Sequence, residues 1–317
     1  RRETAVLALQ GVVLVGAIYS ILALITFSPG GGLLGWLPDR GLMAGPFDSK
    51  NSFATFLGLG LICAFCLAVN PLGQSQGGRR WARVTWRSAL TRPQSPFFLH
   101  LVATLLLGMS FLLAQSRGAT LALGIALLLA VALMIWARLV SLRGIGPMAL
   151  MVGAPLAVMG NFASSGILGR FGRLGLFDFG RGDVFAATMN AIDEAMVMGT
   201  GAGAFSETFP FYRFSNWGLV NVWDYAHNGY LEIALGLGVP AAMIVFSLIA
   251  WMVWRLAQSL WFRRARLFGV VGLSASLFVA IHAGLDFSMQ IPGVAILYAY
   301  LMGICVAQTY PRNRAGR

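Results

Sequence analysis

Eight runs of apolar residues, each long enough to cross a bilayer, divide this 317-residue chain and leave few ways to fold it. They lie at roughly 5–28, 51–70, 97–115, 119–137, 145–162, 230–254, 267–284 and 291–308. A helix of about 20 apolar residues spans the ~30 Å hydrocarbon core of a membrane. Inside that core the backbone must satisfy its own hydrogen bonds, which leaves only helices and closed barrels. The runs do not alternate apolar with polar residues as barrel strands do, so helices are expected. Apolar residues make up 58% of the chain and charged residues 11%, whereas ordinary soluble domains carry about 25% charged residues. The expectation is an all-α, polytopic helical membrane protein in three parts. Residues 1–163 would hold transmembrane helices 1–5, 164–229 a long polar loop, and 230–317 helices 6–8 with a short tail.

The net charge of +12 would fit a nucleic-acid partner, but its distribution argues against one. With the amino terminus on the cytoplasmic side, 16 Arg face the cytoplasm against Glu3 alone, and seven basic residues face ten acidic ones outside. That split of +15 to −3 follows the positive-inside rule. It places the loop 164–229 outside the cytoplasm, in contact with the bilayer. The chain has no initiator Met and enters a span at once, so further spans are expected upstream.

The loop and its junction with the next span are where chemistry is expected. Gly182–Met198 has helical periodicity, with Val184, Ala187, Met189, Ile192 and Met196 on one face, and the loop aromatics are expected to pack on the bilayer interface. His227 in Asp224-Tyr225-Ala226-His227-Asn228-Gly229-Tyr230 is either a general base or an interfacial histidine bonded to Asp224 or to a carbonyl. Asp224 could orient its ring. Arg117, in the tight turn Gln115-Ser116-Arg117-Gly118, sits at a membrane edge where arginine is costly and normally paired or functional; the alternative is snorkelling. Arg170, Arg173 and Arg181 could clamp phosphate through bidentate forks or pair with Asp178 and Asp183.

Other features read as structural. Gly199-x-Gly201-x-Gly203 follows a helix pattern rather than a strand, so it is read as a flexible turn and not a nucleotide site. Cys63 and Cys66 form a C-x-x-C inside an apolar span, which fits packing better than redox or metal work. His282 and Asp286 either line the same cavity as His227 or only bond each other, with structural roles favoured. No ligand-spaced His/Cys/Asp cluster suggests a metal site, and no cofactor is expected.

With these residues laid out, the chain resembles the O-antigen ligase/polymerase family of bacterial envelope glycosyltransferases. The resemblance rests on Gly45-Pro46-Phe47-Asp48-Ser49-Lys50-Asn51-Ser52-Phe53-Ala54, Ser116-Arg117-Gly118-Ala119, Gly199-Thr200-Gly201-Ala202-Gly203-Ala204-Phe205, Ala226-His227-Asn228-Gly229-Tyr230-Leu231-Glu232 and Asp286-Phe287-Ser288-Met289-Gln290-Ile291-Pro292. It implies a GT-C-like membrane fold, truncated here at the amino end relative to a family of about a dozen spans. It implies location in the bacterial inner membrane with the active site facing the periplasm. The implied reaction transfers a glycan from undecaprenyl pyrophosphate to a glycolipid or glycan acceptor, such as a lipid A-core hydroxyl. The implied catalytic residues are His227, Arg181 and Arg117, with Arg170 or Arg173 competing for the loop-arginine role. Lys50 stands where the family pattern calls for arginine and keeps the charge without the bidentate fork; Asp224 and Asn228 complete the expected binding set. Rival readings are a repeat-unit polymerase, a protein glycosyltransferase, and, from another class, a lipid-linked glycan transporter.

Overall fold

A computed structural model describes residues 2–26, 43–69, 96–140, 153, 179–212, 223–262 and 265–310. Every regular element among the described residues is helical. The long apolar runs become α1 (Arg2–Thr26), α2 (Lys50–Val69), α3 (Pro96–Leu113) and α4 (Arg117–Trp136). The polar loop contributes α5 (Phe179–Glu194) and the short α6 (Phe205–Thr208). After it come α7 (Gly229–Leu237), α8 (Val239–Trp261), α9 (Arg266–Ala283) and α10 (Pro292–Ala307). Five helices (α1, α2, α4, α8 and α9) are long and apolar enough to cross a membrane, and α3 and α10 hold shorter apolar helices. The expected span at 145–162 lies outside the described residues.

α2 is the axis of the bundle. It packs against α1, α3, α4, α9 and α10, and its apolar window is 94% buried. Cys63 and Cys66 are buried, unbridged packing residues in it. Close approach of α9 requires a glycine, since a Cβ on Gly58 would meet the Phe278 ring at 2.5 Å. α8 is the opposite case: only 11% of its window is buried, and Met243, Ile244, Leu248 and Trp251 point outward. An outward apolar face of this kind suits contact with lipid.

The run expected as one span over 230–254 is two helices. The chain breaks at Gly238 (φ +77), with Pro240 at the start of α8. Opposite the break lies the glycine turn, which is hydrogen-bonded rather than flexible. Thr200 and Gly201 donate their N–H groups to Leu235 O and Gly236 O at 2.8 and 3.0 Å, and Val239 N donates to Met196 O at 2.7 Å. The turn thus satisfies carbonyls that end α7. A Cβ on Gly238 would lie 2.2 Å from Val197 O, and one on Gly199 2.4 Å from Gly238 N.

The expected helix in the loop is present as α5, starting three residues earlier and ending four earlier than its periodicity suggested. Val184, Ala187 and Ile192 are buried as expected, but Met189 and Met196 are exposed. The buried face meets Phe205, Phe209 and Leu235 in a small core of its own. Those two rings, stacked at 5.0 Å, therefore stabilise the loop from within rather than lying on the bilayer.

Candidate functional site

His227 sits in the turn just before α7, with its backbone in the left-handed region (φ +53). A non-glycine residue there costs on the order of 1–3 kcal/mol and persists only when its surroundings impose it. Two side chains do so. Asn228 caps α7, its Oδ1 accepting from Tyr230 N at 3.0 Å and Leu231 N at 3.2 Å, while its Nδ2 donates to Gly284 O at 3.3 Å. Glu232, one turn into the helix, reaches back so that its Oε2 accepts from Ala226 N at 2.8 Å. The residues on either side of His227 are thereby pinned. Burial pushes the Glu232 carboxyl up to about 7, against the lowering effect of the Ala226 hydrogen bond.

The second half of the site is the link between α9 and α10. Asp286, 1% exposed, lies with Oδ1 3.6 Å from His227 Nδ1. The same Oδ1 accepts from Asn51 Nδ2 at 3.3 Å, and Oδ2 accepts from Ser288 Oγ at 2.8 Å. Burial alone would raise this carboxyl. The imidazole of His227, then His282 and the Ser288 hydroxyl, outweigh burial and hold it below the usual carboxylate range. Asp286 is therefore an anion beside the histidine. Asp224, expected to orient the ring, lies exposed on the wall of the neighbouring cavity.

Aromatic rings complete the setting of the imidazole. Trp223 and Phe287 meet it edge-on at 5.2 and 4.9 Å, and Tyr225 stacks on Phe287 at 4.1 Å. His282 is buried in the last turn of α9 with Nδ1 2.8 Å from Thr55 Oγ1, whose own proton goes to Asn51 O at 2.9 Å. This ties α9 to α2 and orients Asn51, the partner of Asp286.

Arg181 and the turn that carries Arg117 meet the same link. Arg181, in the first turn of α5, donates from Nη1 to Leu285 O at 2.7 Å. The Arg117 turn abuts it as well, since a Cβ on Gly118 would be 3.3 Å from His282 Cδ2 and 3.4 Å from Leu285 Cδ1. Ser116 caps α4 there through Ala119 N, and Lys50 Nζ donates to Gln115 O at 3.4 Å. Arg170 and Arg173 lie outside the described residues. Asn228, expected to bind substrate, has its side chain engaged in capping and in the bond to Gly284.

A cavity of about 770 Å³ opens beside His227, within the roughly 300–1,000 Å³ typical of small-ligand sites. Asp48, Asp224 and Glu232 line it together with Trp223, Tyr225 and Phe287. Arg117, Arg181 and Lys50 are not among its described lining residues. The residues that sequence reasoning did not assign to the site are Asn51, Glu232 and Ser288, and Asp286 as the partner of His227. Glu232 had a local signal, because its position in α7 lets it fold back on the turn.

Residues 102–246 match the family model described as O-antigen ligase. This stretch is similar to that family. It runs from α3 into α8 and includes Arg117, Arg181 and His227. Lys50, Asn51, His282 and Asp286 fall outside the matched residues, yet the fold brings them to the same place. No curated protein matches the chain.

Proposed function

We propose that this chain transfers a glycan from a lipid-linked pyrophosphate, of the undecaprenyl type, to an acceptor hydroxyl at the periplasmic face of the inner membrane. The reading rests above all on the pairing of His227 with a buried, ionised Asp286 at the edge of a cavity. With Nδ1–H directed at Asp286, Nε2 carries the lone pair that can take a proton. The 3.6 Å separation is longer than a hydrogen bond, and catalytic contacts of this kind commonly tighten when substrate binds.

In this mechanism the acceptor O–H gives its proton to His227 Nε2 as its oxygen forms a bond to the anomeric carbon. The bond from that carbon to the pyrophosphate oxygen breaks, and the electron pair leaves with the lipid pyrophosphate. Attack from the face opposite the leaving group inverts the anomeric centre. Arg181 and Arg117, with Lys50 beside them, neutralise the charge that grows on the leaving oxygen. Arg181 holds Leu285 O in the structure, so it would be positioned in advance of the donor.

The test is transfer by the purified protein in liposomes holding an undecaprenyl-pyrophosphate glycan and an acceptor. His227→Ala is expected to lower kcat by roughly 10²–10⁴-fold, the usual contribution of a general base. Full transfer by the variant, at equal amounts of folded protein, would remove His227 from this role.

A further inference from the structure

Arg255 lies inside α8, the apolar helix that leads away from the turn of His227. It precedes Trp261, the last residue of α8, by about 9 Å along the axis. An arginine within a span is costly and normally has a partner. Its Nη1 donates to Gln258 Oε1 at 3.3 Å, and its Cζ lies 4.7 Å from the centre of the Tyr310 ring. The remaining N–H groups of the guanidinium meet no acceptor among the described residues, and Nε is buried. A snorkelling arginine keeps its head in water. This one is held by an amide and by an aromatic ring.

No carboxylate stands ready to balance the charge. Asp and Glu are absent from residues 233–285 and 287–317, and from α4. Glu232 and Asp286 lie at the other end of the bundle, beside the turn of His227. Glu3 is exposed at the start of α1, which packs on α2, α3 and α10. Arg266, by contrast, is already engaged, because its Nη1 donates to Ala137 O at 2.7 Å and so closes the end of α4.

The helix face that carries Arg255 continues as apolar surface. Residues three or four apart share a face, so Ile244, Leu248, Trp251, Arg255 and Gln258 form one stripe. Its three apolar members are exposed. The stripe is therefore apolar toward the middle of α8 and cationic toward its end. Helical side chains usually lean toward the amino terminus, yet the bond to Gln258 turns this guanidinium toward the end of the helix. A phospholipid has the same order of groups, an acyl chain and then a phosphate. A guanidinium fork matches phosphate oxygens, and a cation without a carboxylate favours a lipid of net negative charge.

We infer that the outward stripe of α8 seats an anionic phospholipid, with its phosphate on Arg255 and Gln258 and an acyl chain along Trp251, Leu248 and Ile244. This places the lipid in the leaflet remote from His227 and does not depend on the glycan-transfer reading.

The full chain in detergent would be titrated with dioleoylphosphatidylglycerol, with dioleoylphosphatidylcholine and with glycerol phosphate, following the unfolding midpoint. The anionic lipid is expected to bind at least about fivefold more tightly than the zwitterionic one, as one arginine near lipid phosphate implies. Glycerol phosphate, which lacks the chain, should give no shift where the anionic lipid saturates. Arg255→Gln is expected to remove the preference, whereas Arg138→Gln, at an exposed arginine on the α4 side, should keep it. Equal binding of the two lipids overturns the inference, and so does saturation by glycerol phosphate alone. Equal losses in the two variants would do the same, since they mean diffuse attraction by the whole basic end. Should Arg255→Gln fail to fold, the wild-type protein still decides. A phosphatidylglycerol with a diazirine in its acyl chain is expected to label residues 244–251, and excess phosphatidylglycerol to compete. Labelling confined to other helices, or equal competition by phosphatidylcholine, excludes the site.

Discussion

His227 occupies a backbone conformation that imidazole does not favour, and the residues that impose it come from several parts of the chain. Asp286 is the most exacting of them, because a buried carboxylate must have its partners in place. Asp286→Asn keeps the size of the side chain but loses its charge and replaces one of the two oxygens that accept from Asn51 and Ser288 with an NH2 donor. The expected cost is about 1–3 kcal/mol of stability, together with a fall in kcat. The pH dependence has a definite sign. A carboxyl held below its unfolded value, about 3.9, contributes stability above that pH and loses it as pH falls through the folded value. The difference in unfolding midpoint between the two proteins in detergent should therefore be present at neutral pH and shrink below about pH 4. A difference that persists undiminished in acid would mean that Asp286 is not held as an anion. His227 and Arg181 could be named from the sequence because such residue types are rare next to apolar spans. Asp286 could not be paired with His227 that way, because the contact depends on how α7 and α9 pack, and Asn51 reaches it across 235 residues.

At the scale of elements, the break between α7 and α8 decides where the turn carrying His227 stands relative to the membrane. A single helix through 230–254 would move the chain around residue 238 away from the glycine turn and lose its hydrogen bonds to α7. Gly238 permits the break twice over, through its positive φ and through its contact with the Val197 carbonyl. Gly238→Ala is expected to cost more than about 1 kcal/mol from conformation alone, and more from the 2.2 Å clash. Thermal unfolding in detergent should show the loss, and an unchanged midpoint would mean that the two backbones separate freely. Gly238 and Pro240 carried this signal in the sequence. Within an unbroken apolar run it was masked, because hydropathy alone does not separate one span from a short helix followed by a span. The hydrogen bonds of the glycine turn escape a local reading for a related reason: their acceptors are carbonyls of α7, remote in sequence.

For the whole molecule, apolar character does not indicate which helix is central. α2 and α8 are both rich in apolar residues, yet one is enclosed by protein and the other faces outward. Ile62, fully buried in α2, should cost about 2–5 kcal/mol when replaced by Ala. Ile244, 63% exposed on α8, should change stability by no more than about 0.5 kcal/mol. Comparable unfolding midpoints for the two variants in detergent would contradict this arrangement. The sequence by itself determined that the chain is helical and built for a membrane, and it marked the loop and its end as the place where chemistry is expected. Those properties are local: they follow from the length of apolar runs, from backbone hydrogen bonds that close within each helix, and from where unusual charges lie. Only the tertiary structure decided that Asp286, and not Asp224, sits beside His227, and that Arg181 reaches the Leu285 carbonyl. Those outcomes arise from contacts between segments far apart in the chain, where burial sets both the charge state of Asp286 and the groups it can meet.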